Sequence, residues 1–91
     1  MNLNLFAITY ANSTFIVVGD NDEGAGTILT SPDGITWTSR TSGTSDYLDD
    51  VTYGNSTFVT VGTSGTILTS TDGITWISRT SGTTERLIGV T

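Results

Sequence analysis

The chain contains no cysteine and no histidine in its 91 residues. That removes disulfides, thiolate nucleophiles, the usual zinc sites and imidazole bases. Lysine is missing too, so Arg40, Arg79 and Arg86 are the only basic side chains, set against nine acidic residues for a net charge of −6. Such a surface repels phosphate backbones and anionic headgroups, which argues against nucleic-acid and membrane partners. No apolar run approaches the roughly 20 residues of a membrane span. The opening Met1–Ala11 has no basic segment of the kind that begins a signal peptide. A cysteine-free chain without such a leader fits the cytoplasm better than a secreted route. Neither a cofactor nor a metal is expected.

Proline occurs once. Serine and threonine make up about a third of the residues, but without the proline and dense charge of a disordered linker. The threonines instead alternate with Ile, Val, Leu, Phe and Trp. A β-branched side chain suits a pleated surface, so the composition reads as all-β.

The chain is an internal duplication. Tyr10, Asn12, Ser13, Thr14 and Phe15 match Tyr53, Asn55, Ser56, Thr57 and Phe58. Gly26–Ser31 matches Gly65–Ser70, and Ser39–Thr44 matches Ser78–Thr83. Trp37 and Trp76 stand 39 residues apart but Phe15 and Phe58 stand 43 apart, so the first copy carries four extra residues between Gly19 and Gly26. Each copy divides at turn residues into four short strands. In the second copy the spacing predicts Leu48–Tyr53, Thr57–Val61, Thr66–Ser70 and Ile74–Arg79. A four-stranded unit of about 40 residues that repeats is the signature of a β-propeller blade. The fold class expected is therefore all-β: two four-stranded antiparallel blades in one module over residues 1–91. The first blade runs over about 3–44 and the second over about 46–84. Leu87–Thr91 matches Leu5–Thr9 and Leu48–Thr52, and reads as the first strand of a further blade.

Ser31–Trp37 (SPDGITW) and Ser70–Trp76 (STDGITW) fall between the third and fourth strands. There an Asp can accept bonds from backbone N–H groups, a Gly can take positive φ, and a Trp can cover the meander. The pattern S-x-D-G-I-T-W resembles the Asp-box of bacterial-neuraminidase-like repeats, with one residue fewer between Asp and the aromatic than is usual. The resemblance gives the Asp role to Asp33 and Asp72, the Gly to Gly34 and Gly73 and the aromatic to Trp37 and Trp76. Ser31 and Ser70 tie the near side of each turn. It implies a structural box, remote from the usual ligand face. A turn is needed in every blade, whereas a catalytic group is needed once.

Two blades do not close a propeller, which takes at least four. They leave two broad apolar faces, and identical copies can cover these head to tail until rotation closes a ring. A homotrimer would give six blades and is preferred; a homotetramer would give eight. Leu87–Thr91 would then compete with a neighbour's first strand for one slot.

Differences between the copies concentrate in loops expected at the opposite end from the boxes. Asp20, Asp22 and Glu23 could hold a hard cation such as calcium, or form a solvated acidic hairpin. Asp46, Tyr47, Asp49 and Asp50 could receive a sugar, with Tyr47 stacking on its ring and carboxylates accepting from its hydroxyls, or Asp49 and Asp50 could merely line a solvated central channel. Glu85 and Arg86 occupy the equivalent loop of the second copy and could pair with each other. Arg40 and Arg79 are repeat-equivalent, which favours a structural role on the outermost strand. The chain is thus expected to be a non-enzymatic, self-assembling module with carbohydrate or protein as partner, or a scaffold whose only activity is assembly. A glycosidase pair drawn from Asp49, Asp50 and Glu85 would recur around a symmetric ring, a poor way to build an asymmetric site.

Overall fold

Turn residues cut the chain into short segments, and these pair with their sequence neighbours. The computed structural model describes residues 3–21, 26–79 and 82. Strands β1 (Leu3–Ala11), β2 (Thr14–Asn21), β3 (Gly26–Ser31) and β4 (Thr38–Arg40) form one four-stranded antiparallel sheet in chain order. A second sheet repeats that order with β5 (Leu48–Gly54), β6 (Thr57–Gly62), β7 (Ile67–Ser70) and β8 (Ile77–Arg79). Between β6 and β7 lies a single 3₁₀ turn, Thr63–Gly65, and no α-helix occurs among the described residues. Leu87–Thr91 lies outside the described residues.

The β1–β2 and β5–β6 hairpins turn on Asn12–Ser13 and Asn55–Ser56, all four in the left-handed region with φ between 52° and 61°. Positive φ at both central residues is the two-residue turn whose twist matches that of its strands. Each hairpin also carries a bulge, between Leu5 and Ala7 and between Leu48 and Asp50. Opposite the bulges stand Gly19 and Gly62. A Cβ there would collide with the backbone carbonyls of Asn4 and Tyr47, so only glycine lets the strands approach.

Side chains alternate across each sheet, and register decides which face meets the other copy. Ile16, Val18, Ile28 and Thr30 share one face of the first sheet. Leu48, Val51, Phe58 and Leu68 share a face of the second. The apolar members of both sets are buried in a single core, with Ala7, Ala11, Tyr53 and Trp76 packed against it. The core is therefore the seam between the two repeats rather than the interior of either.

The fourth strand of the second copy departs from the expectation of Ile74–Arg79: β8 begins at Ile77. The Ile74 and Thr75 amides are taken by Asp72, so they cannot enter the ladder. Trp37 and Trp76 correspondingly sit just before β4 and β8 instead of opening them.

Candidate functional site

Three features could carry function: the duplicated turns, the loop ends remote from them, and the open face of the first sheet. In the first turn Ser31 is buried at the end of β3. Its Oγ accepts from the Gly34 amide at 2.7 Å and the Asp33 amide at 3.2 Å, and donates to Asp33 Oδ1 at 3.0 Å. The Asp33 carboxylate then accepts the Ile35 and Thr36 amides at 2.8 and 3.0 Å. Gly34 takes φ +81°, which a side chain would resist. Ser70, Asp72, Gly73, Ile74 and Thr75 reproduce every one of these bonds, the longest at 3.3 Å. The Thr36 amide, then that of Ile35 and the Ser31 hydroxyl, hold the Asp33 carboxyl below the ordinary 3.8; Thr75, Ile74 and Ser70 do the same for Asp72. These donors stabilise the ionised form. All the carboxylate bonds run within one turn, which gives both boxes a structural explanation.

An aromatic stack braces each turn. Tyr10 and Phe15 lie 4.5 Å apart and Phe15 and Trp37 6.3 Å; Tyr53, Phe58 and Trp76 repeat the stack at 4.6 and 6.4 Å. Tilted rings at these separations suit the aromatic quadrupole.

Antiparallel pairing places the loop ends at the far end of the strands from the boxes. Asp46 is tied into the second sheet: its Oδ2 accepts from Thr66 Oγ1 at 2.7 Å and Thr44 Oγ1 at 3.2 Å. Tyr47 donates its amide to Thr63 Oγ1 at 2.9 Å, while its ring is partly exposed. Asp49 and Asp50 are half-buried, and Asp50 Oδ1 accepts the Val51 amide at 2.9 Å. Asp20 does not belong to a solvated hairpin. It is a buried residue of β2, paired in register with Asn4 and Gly26, and its Oδ1 has no hydrogen-bond partner. Asp22, Glu23, Glu85 and Arg86 lie outside the described residues. Among the described residues no three acidic side chains converge to hold a metal ion. Arg40 and Arg79 make the same bond in each copy, from Nε to Thr30 Oγ1 at 3.0 Å and to Thr69 Oγ1 at 2.9 Å.

Two open apolar faces are expected of a two-blade chain, and the burial of equivalent residues shows which faces they are. Repeat-equivalent side chains of β1 and β5 differ sharply in burial. Leu5 is 51% exposed and its equivalent Leu48 0%; Ile8 is 59% exposed and Val51 5%. Tyr10 is exposed where Tyr53 is half-buried. On the far side the asymmetry reverses: Ile16, Ile28 and Thr30 are buried, while Val59, Ile67 and Thr69 are only half-buried. One copy of the repeat contact is thus made inside the chain, and both of its halves recur on the outer faces with most of their apolar side chains less covered, although Val17 and Val61 stay buried there. The signal for this face was present in the duplication, since positions that match in sequence must pack alike to be covered alike. The chain matches no family model, and neither a curated protein nor a solved structure matches it.

Proposed function

We propose that the protein is a non-enzymatic self-assembling β-propeller module of the Asp-box type. Copies of the chain stack head to tail, the open face of β1 and β2 in one covered by the outer face of β6 and β7 in the next. The burial asymmetry between repeat-equivalent residues carries this reading. Leu5 and Ile8 are chemically what Leu48 and Val51 are, and the face that buries the latter exists again on the opposite side of the chain. Covering each half-exposed aliphatic side chain would contribute about 1 kcal/mol. A heterologous contact that rotates closes into a ring, with three chains making six blades and four making eight. Tyr47 and the loops beside it form the surface proposed for a carbohydrate or protein partner, repeated around the ring.

The test is mass in solution. Sedimentation equilibrium should give three times the chain mass, with four times as the second closed solution. A well-folded monomer that persists at micromolar concentration would overturn assembly. A glycan array with the intact ring tests the loop surface; a flat signal would leave assembly as the module's activity.

A further inference from the structure

A cleft of about 210 Å³ with mixed polar and apolar walls opens between the end of β3, strand β4 and the second box turn. It lies at the opposite end of the strands from Tyr47, so it is separate from the proposed loop surface. Its volume is below the roughly 300–1,000 Å³ of clefts that take drug-sized ligands, and leaves room for one small molecule. The walls come from both repeats of a single chain, so occupancy needs no second copy.

The chemistry of the walls narrows the ligand. Arg40 of the first repeat and Asp72 of the second both line the cleft. The Arg40 Nε is committed to Thr30 Oγ1, which holds the planar guanidinium and leaves its terminal nitrogens outside that bond. All bonds from the turn to the Asp72 carboxylate use Oδ1, so Oδ2 stands outside the turn's own bonding. Thr38 presents a further hydroxyl, and Pro32 with Ile74 supplies a small apolar wall. Donors, a carboxylate acceptor and apolar side chains in one cleft suit a ligand that both gives and takes hydrogen bonds and also shows C–H groups. A free anion is disfavoured by Asp72 and by a net charge of −6. We propose that this cleft binds a neutral polyhydroxylated ligand of monosaccharide size, with the Arg40 terminal nitrogens donating to ring hydroxyls and Asp72 Oδ2 accepting from them. At the repeat-equivalent position Thr38 becomes Ile77, so the equivalent surface of the second sheet lacks one of the polar groups.

The chain carries its own reporter. Trp76 Nε1 donates to the Gly73 carbonyl at 3.1 Å, and Gly73 lines the cleft. In a ¹H–¹⁵N titration of the full chain, galactose, mannose, glucose and N-acetylglucosamine are added separately, with glucuronate as the anionic comparison. At least one neutral sugar should shift the Gly73 amide and the Trp76 indole N–H saturably in the millimolar range, and glucuronate should bind more weakly. Thr38→Val, which keeps the side-chain shape on an exposed strand, and Arg40→Ala should each weaken binding tenfold or more. Arg79→Ala, the repeat-equivalent change outside the cleft, should leave it unchanged. The proposal is overturned if no neutral sugar gives saturable shifts, if glucuronate binds more tightly, or if a well-dispersed Thr38→Val spectrum titrates like the parent.

Discussion

Asp33 and Asp72 each gather two backbone amides and a serine hydroxyl onto one oxygen, and that arrangement makes the fold acid-sensitive. Both carboxyls are held below 3.8 in the folded chain. The unfolded chain therefore takes up protons first as pH falls, and the stability these groups contribute is complete above about 3.8 and lost on descent through the lower folded values. Thermal melting followed by circular dichroism should fall between pH 4 and pH 2. The Asp33→Asn/Asp72→Asn double variant should melt lower at neutral pH and show a shallower acid decline. The hairpin turns make an opposite prediction. Ser13 and Ser56 sit at φ 61° and 59°, where a Cβ is strained. Ser13→Gly and Ser56→Gly should each raise stability in urea titrations by about 0.5–1 kcal/mol, strain relief exceeding the entropy glycine adds to the unfolded chain. That both turns carry Asn-Ser was plain in the sequence. That both residues are left-handed followed from the tight pairing of the strands.

Strands that match in sequence are not energetically matched in the single chain. Phe58 is buried in the seam while Phe15, its equivalent, is half-buried. Phe58→Ala should cost about 3–5 kcal/mol, the range for a buried aromatic that leaves a cavity. Phe15→Ala should cost clearly less in a dilute sample, and the gap should narrow as rising concentration covers the first sheet. Glycine placement argues similarly. Gly62→Ala would push a Cβ into the Tyr47 carbonyl across the bulge, and such overpacking against backbone should cost about 3 kcal/mol, measured by the urea midpoint. The strands and their order were legible because Gly, Asn, Ser and Asp punctuate the chain every few residues. The bulges at Phe6 and Asp49 were not, since nothing local distinguishes an extra residue from the next rung of a ladder. The shortened β4 and β8 were hidden for a related reason. Whether an amide joins a ladder or a turn is settled by which acceptor reaches it first.

For the protein as an assembly, the informative comparison is between equivalent positions of the two repeats. Ile8→Asp should leave the isolated chain folded, within about 0.5 kcal/mol, because Ile8 is already exposed. It should nevertheless reduce the sedimentation mass to that of a single chain. Val51→Asp places the same charge in the seam and should unfold the chain instead, because an unpaired buried carboxylate is costly. If Ile8→Asp changes neither mass nor stability, the open face is not an interface. The bonds within the Ser-Asp turns, the aromatic stacks and the Arg–Thr pairs recur in both copies, so the repeated bonds themselves are scaffold, and among these groups the two copies differ only where Arg40 and Asp72 meet at one cleft. The loop residues do differ, yet Asp46 is half-buried with its carboxylate accepting from two threonine hydroxyls, and Asp20 is buried in β2.

Duplication, strand order and the chemistry of the S-x-D-G turns could all be read from the order of residues, because each depends on neighbours only a few positions apart. Which face of each sheet is covered depends on long-range register. Identical side chains at Leu5 and Leu48 end in opposite environments because one sheet has a neighbour in the chain and the other face has none. The same contact brings Arg40 and Asp72 to one cleft although 32 residues separate them, a meeting that no spacing in the sequence announces.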